Sequence, residues 1–535
     1  MKAQAMSDLT VAASPDAVRG SATVAAWTLV SRVTGLGRII VTGAVLGPTY
    51  LANCFVATNT VPNMFYLAIA GSVLSAVVVP AIVRATAANG SRAAVDLIGR
   101  LAGFLVMVGA LGCAVLLVVS PVIARLLTFD IADVVTRSHA YDLTLLMLLF
   151  VAPQVIFYMI ATLGAAAQQA RGRFALAAAA PAVENLGVMM TIALAGFVYG
   201  KGAEIGEAAI GLTILLCVGS TISVALHMAL QLAGAARVGL PVRPCLRFRG
   251  DPLTTVITRR LRQSFVVAAC PYAAYLSLIV MAGTVAGGVL VLQMAYSVYS
   301  LPLALGGRAV STAVLPGLSA AADRGDRALF GRKLREGFAY AVIAGLPPML
   351  LLATFAAPIA EVLANGRMRV GDLITALACC LVVLAVAQAA AGLREVGVQG
   401  LFAGLEIRGP RIAAALGLTV TLTAGLLSVC VLAGSVRLIG LAAAILLADL
   451  VAAAAVIVLS VRMIRPARLL DRTRLGTAAL ASAGMVPVLA VGWLALQVLG
   501  GNRFGDLAIA AASGSLAVAI YVFVIHAATR SRAIA

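Results

Sequence analysis

Long apolar stretches recur along the whole chain, each parted from the next by a short cluster of charged or turn-forming residues. About 20 apolar helical residues cross a bilayer. On that measure fourteen spans are predicted, at 21–47, 51–82, 99–125, 141–169, 175–199, 207–235, 261–284, 287–318, 335–361, 373–404, 411–433, 439–461, 476–499 and 505–528. Several are longer than one crossing needs, as expected of helices that tilt, break or run past the membrane. The expected fold class is an all-α polytopic membrane protein.

The polar breaks alternate in charge. With the N-terminus inside, the inner segments hold 28 of the 39 Lys and Arg residues and the outer loops hold 7. The other four, Arg32, Arg38, Arg308 and Arg394, fall within spans. Inner loops of membrane proteins collect Lys and Arg, so both termini are expected on the cytoplasmic side.

A repeat underlies this pattern. GSVLSAVVVP (71–80) and GRAVSTAVLP (307–316) share G-x-x-x-S-x-x-V-x-P, and each precedes a polar turn. SPVIARLL (120–127) and APIAEVLA (357–364) match at nearly the same offset. Spans 7–12 therefore repeat spans 1–6 in the same orientation, an arrangement that places a site between two bundles. The expected units are a cytoplasmic tail (1–20), a six-helix bundle (21–237), a basic linker (238–260), a second six-helix bundle (261–464) and two added helices with a short tail (465–535).

Composition narrows the chemistry. The chain of 535 residues is 62% hydrophobic and 11% charged, far from a soluble protein. In a soluble protein its net charge of +19 would suggest nucleic acid; here the charge marks topology, and no nucleic-acid partner is expected. The first twenty residues are polar and lack a cleavable signal pattern. Eight scattered cysteines and three histidines form no metal or disulfide spacing and no nucleophile–base set. A transporter without metal or cofactor is expected, not an enzyme.

The informative residues are polar ones inside spans. On a helix, Ser31, Gly35 and Arg38 share a face, with Arg32 lying about 120° round. Asn53, Asn59 and Asn63 surround Pro62, Glu184 and Asn185 follow Pro181, and Gln293, Ser297, Ser300 and Arg308 surround Pro302. Gln388, Arg394 and Glu395 lie in the tenth span and Asp449 in the twelfth. Arg394 and Glu395 point about 100° apart and are not an obvious pair. His227 reads as structural. Ionised groups face lipid at a cost, so Arg38, Arg308, Glu184 and Asp449 are expected to line a polar cavity or bind a partner that does. The only charges in spans 1, 2, 7 and 8 are arginines, which suits an anionic, phosphate-bearing substrate. A cation-coupled antiporter using Glu184 or Asp449, with Arg394 and Glu395 as further coupling or gating groups, remains open.

SRVTGLGRI (31–39), NCFVATNTVPNMF (53–65), GSVLSAVVVPAI (71–82), GAAAQQARGRFALAAAAPAVENL (164–186) and LPLALGGRAVSTAVLPGLS (301–319) carry a family likeness. So do GLPPMLLLATFAAPIAEVLANGRM (345–368) and GLEIRGPRIA (404–413). Together they resemble the MurJ (MviN) lipid II flippases of the multidrug/oligosaccharidyl-lipid/polysaccharide exporter superfamily. The resemblance implies fourteen spans, a V-shaped pair of bundles in the bacterial cytoplasmic membrane and a lipid-tail groove at spans 13 and 14. It implies export of a polyprenyl-pyrophosphate-linked peptidoglycan precursor, driven by membrane potential or by Na+ or H+. The family's two span-1 arginines fall on Arg32 and Arg38, its span-2 Pro-Asn on Pro62 and Asn63, and its span-11 acid and base on Glu406 and Arg408. Its other cavity charges fall on Ile39, Asn53, Tyr66, Gly71 and Ser297, with Arg308 a candidate replacement for the missing third arginine. The expected binding set is Arg32, Arg38 and Arg308 on the pyrophosphate, with Asn53, Asn63 and Ser297 contacting sugar or closing a gate. Another polyprenyl-linked glycan stays open as substrate, and so, given the missing charges, does a transport-dead scaffold that organises cell-wall synthases.

Overall fold

A computed structural model describes residues 15–245, 252–464 and 471–534. Most of the tail and parts of the basic linker and of the segment after residue 464 lie outside the described residues. The described chain is helical throughout, and thirteen of its helices are long and apolar enough to cross a membrane. Helices of that length and composition make the chain a multi-pass membrane protein.

The first half comprises α1 (Pro15–Leu46), α2 (Tyr50–Tyr66), α3 (Ser72–Thr128), α4 (Val134–Val151), α5 (Gln154–Ala170), α6 (Ala175–Tyr199) and α7 (Ile210–Arg237). The second comprises α8 (Pro252–Ala282), α9 (Gly288–Leu305), α10 (Gly307–Asp323), α11 (Arg327–Thr354), α12 (Ala356–Leu363), α13 (Gly371–Ala403), α14 (Arg408–Val431) and α15 (Val436–Ile464). Helices α16 (Arg472–Leu499) and α17 (Arg503–Ile534) pair with each other and pack on α11 and α12.

The predicted span 51–82 is not among the thirteen, and the structure interrupts it. It falls on α2, which has 17 residues, then a π-helical turn at Leu67–Gly71, then the start of α3. α3 itself runs on for 57 residues because two helices meet at Gly90, whose φ of 78° and ψ of 177° only glycine adopts freely. The repeated sequence motif begins a new helix in both halves. In the first it follows the π turn, and in the second it follows Gly306, whose φ of −100° and ψ of −86° end α9. Side-chain caps fix several helix starts: Thr49 accepts from Ala52 N at 3.1 Å, and Asp326 accepts from Leu329 N at 2.9 Å.

The halves interlock at the end where α1 finishes. Asn53 Nδ2 donates to the carbonyls of Val285 (2.8 Å) and Gly283 (3.3 Å), and its Oδ1 accepts from Val289 N at 3.2 Å. Gln293 donates to Thr60 across the same seam at 2.8 Å. Gly287, at φ +72°, lies so close to Pro48 that a Cβ there would come within 2.6 Å of its Cα. Leu51, Phe55 and Val289–Leu292 are almost wholly buried around these contacts, so the seal is apolar with a few satisfied polar groups.

Candidate functional site

A cavity of about 500 Å³ lies between the halves, on the side of this seal toward the N-terminus of α1. Its walls are α1 (Ser31, Arg32, Arg38), α6 (Pro181, Asn185) and α9 (Ser297, Ser300). Local packing sets the arginines. Gly35 has no side chain, so Asn185 of α6 reaches α1 and donates to Ser31 O at 3.2 Å and Thr34 Oγ1 at 3.3 Å. That weld holds the face carrying Arg38 against α6 and toward the cavity. Arg32 donates to Ser300 at 3.2 Å and so bridges the halves across the cavity. Arg38 makes no hydrogen bond or ion pair among the described residues, although it lies within electrostatic reach of Glu184, Tyr158 and Tyr275. An arginine held this deep without a protein partner must be met by water or an anion.

The other residues singled out from sequence separate into three places. Asn53 does not line the cavity: it is 1% exposed and spends both ends of its amide on the seal. That position is at the seam between the halves and away from the cavity wall. Asn63 is half-buried beside the Tyr158 hydroxyl.

Glu184 lies behind the cavity wall. Its Oε2 is 2.7 Å from His227 Nδ1, and its Oε1 accepts from the Tyr158 hydroxyl at 2.8 Å. Tyr158 in turn stacks on Tyr66, with ring centroids 5.9 Å apart. His227, read from the sequence as structural, is the hydrogen-bond partner of this acid.

Asp449 has an analogous pair in the second half. Its Oδ1 is 3.2 Å from Arg394 Nε, and its Oδ2 accepts from the Tyr299 hydroxyl at 2.7 Å. Arg394 also reaches its chain neighbour Glu395 at 3.5 Å, which corrects the expectation that the two do not pair. The long arginine side chain folds back over the roughly 100° between the two positions. Arg308 is not in the cavity wall. Its side chain is 54% exposed and 3.9 Å from Glu395, but its charge is within reach of Arg32. It adds positive potential near the cavity and not a direct wall contact.

Tyr158, His227 and Tyr299 were missed as site residues. Their signal was a hydroxyl or imidazole in otherwise apolar helices, at positions where a buried acid on another helix needs donors. No group of three or more His, Cys, Asp or Glu capable of holding a metal occurs among the described residues.

Comparison with known proteins follows the same lines. The family model for the lipid II flippase MurJ matches residues 43–531. The chain belongs to the MurJ family. The match starts beyond Arg32 and Arg38, so their assignment rests on the geometry above. A MurJ relative from Burkholderia cenocepacia, a lipid II flippase, is 24% identical over 397 residues, covering 73% of this chain and 74% of that protein. A probable lipid II flippase of the family from Vibrio cholerae is 24% identical over 347 residues, 64% of each chain. A solved MurJ structure in an inward closed conformation superposes with a TM-score of 0.69 at 17% identity, over 95% of this chain and 99% of that one. An inward-facing multidrug transporter of the MATE family superposes at 0.61 and 16%, over 82% and 94%. At such identities these structures show a shared fold.

Proposed function

We propose that this MurJ-family chain is a flippase that carries a lipid II-type, polyprenyl-pyrophosphate-linked peptidoglycan precursor across the cytoplasmic membrane by alternating access. The observation that carries the reading is Arg38, unpaired in a cavity between the halves, with Arg32 at its side. Two guanidinium groups suit a pyrophosphate, which accepts paired N–H donors and offsets their desolvation. A second feature fits the rest of the substrate. An apolar groove of about 620 Å³ between α9, α11 and α17, walled by Pro302, Pro348, Leu351, Phe355 and Val518, meets the cavity at Leu301. A headgroup held by the arginines leaves its prenyl tail free to follow this groove toward the lipid.

With both termini in the cytoplasm, as the distribution of Lys and Arg supports, the seal at Asn53 faces outward and the cavity faces the site of precursor synthesis. Exporting two negative charges is then favoured by an inside-negative potential, by about 2.3 kcal/mol per charge for each 100 mV. The cavity supplies binding and a change of access, and no group on this chain is asked to make or break a bond.

The test is complementation. In cells depleted of their own flippase, R38A at normal expression is expected to fail and to leave the lipid-linked precursor accumulating on the inner leaflet. Full rescue by R38A would overturn the reading.

A further inference from the structure

The cluster formed by Glu184, His227 and Tyr158 has no part in holding an anion, yet it stands directly behind the helix face that does. We propose that it is a proton site linked to anion binding through Arg38, so that proton uptake strengthens binding and binding draws a proton. The proposal rests on the flippase reading and adds to it a ligand, the proton, and a route of linkage.

Each carboxylate oxygen of Glu184 has one partner, Tyr158 on Oε1 and His227 on Oε2. An ionised carboxylate only accepts, so His227 Nδ1 carries the hydrogen in that bond. The remaining ring nitrogen, Nε2, makes no hydrogen bond among the described residues, and it is where a further proton adds. The groups facing Glu184 come from three packed helices: Arg38 from α1, Tyr158 from α5 and His227 from α7. Tyr66 of α2 stands behind Tyr158. Of these side-chain types, histidine is the one whose ordinary range of protonation spans neutral pH.

The sign follows from charge counting. With His227 neutral, the Glu184 carboxylate faces Arg38 as an uncompensated anion and competes with a bound pyrophosphate for its charge. A proton on Nε2 makes the Glu184–His227 pair neutral as a unit and leaves the Arg38 charge to the cavity. Linkage is reciprocal, so an anion bound at Arg38 favours that same protonation. The matching cluster in the second half holds Arg394 in place of histidine and cannot respond in this way.

Full-length protein in detergent would be titrated with undecaprenyl-pyrophosphoryl-N-acetylglucosamine, whose two pyrophosphate charges do not change between pH 6 and pH 8. Wild type is expected to bind roughly tenfold more weakly at pH 8 than at pH 6. It should also take up protons on binding near pH 7 in weak buffer. E184Q/H227Q, checked for folding by thermal unfolding, should bind with less than a twofold pH dependence. E184Q alone, whose amide oxygen still accepts from Tyr158 and whose NH2 can donate to Nδ1 of the other His227 tautomer, should show a flattened profile with binding retained at pH 8. Wild-type binding that is independent of pH, or that takes up no proton, would overturn the inference while leaving the anion site standing. Unchanged pH dependence in the double variant would do the same. R38A should lose binding at every pH; if it does not, or if wild type binds nowhere in this range, the anion site and the flippase reading fail instead.

Discussion

Each half of the molecule buries one carboxylate among its helices, and the two are satisfied by different bases. In the first half Glu184 is held by His227 and Tyr158; in the second Asp449 is held by Arg394 and Tyr299. The plan is the same: an acid, a tyrosine hydroxyl on one oxygen and a base on the other. The difference is that arginine keeps its charge at any pH the cell meets, whereas histidine does not. The second cluster is a permanent tie between α13, α15 and α9. The first lies next to Arg38 and can change its net charge. Near-identical geometry thus serves as a fastening in one half and as an adjustable neighbour of the binding site in the other.

The comparison breaks most visibly at Arg394. R394A strands a buried aspartate and is expected to cost about 3–5 kcal/mol, read as a lowered thermal midpoint in detergent. Replacing both Arg394 and Asp449 by leucine should recover most of that loss, because no charge is left unpaired. A large loss in the double variant would mean that the pair does more than satisfy itself.

H227A should cost less, about 2–3 kcal/mol, because it removes a hydrogen bond to the carboxylate and not a permanent opposite charge. A penalty equal to that of R394A would erase the distinction between the halves. Smaller again, Y158F and Y299F each remove one hydrogen bond to a carboxylate and are expected to cost roughly 1.5 kcal/mol apiece. Similar values would show that the tyrosines play one role in both halves, with the bases alone differing. R437A supplies the reference. It breaks a rim ion pair with Asp130, 3.3 Å across the seam between the halves, and should change stability by less than about 1 kcal/mol.

The fold was legible because an apolar background leaves few ways to arrange the chain. Hydropathy located the helices, and the repeat marked where a new helix begins in each half. The break within the second predicted span was harder to see. A π turn leaves no composition signal of its own, and apolar residues on both sides read as one continuous span. Buried charges were equally plain as positions, since Glu184 and Asp449 stand out against alanine and leucine. Their partners were not. Tyr158, His227, Arg394 and Tyr299 reach them from other helices, 26 to 150 residues away along the chain. Which helix faces which is decided by tertiary packing, and no local pattern records it. The same limit explains Asn53, whose amide matches three backbone groups, in the loop before α9 and in its first turn, more than two hundred residues downstream.

The close fit of Gly287 against Pro48 bears on a hazard common to membrane proteins that enclose polar space. A water-filled cavity lined by arginines is half of an ion channel, and a cell that stores energy as a potential cannot tolerate the other half. Backbone lies directly on backbone at this point, with buried leucine and valine side chains around it. Such apolar packing offers few polar partners to a file of water, so the seal is expected to act as electrical insulation. A methyl group at position 287 would wedge that contact apart. G287A should therefore announce itself as a leak of ions through the membrane, while the cavity on the other side keeps its hold on an anion.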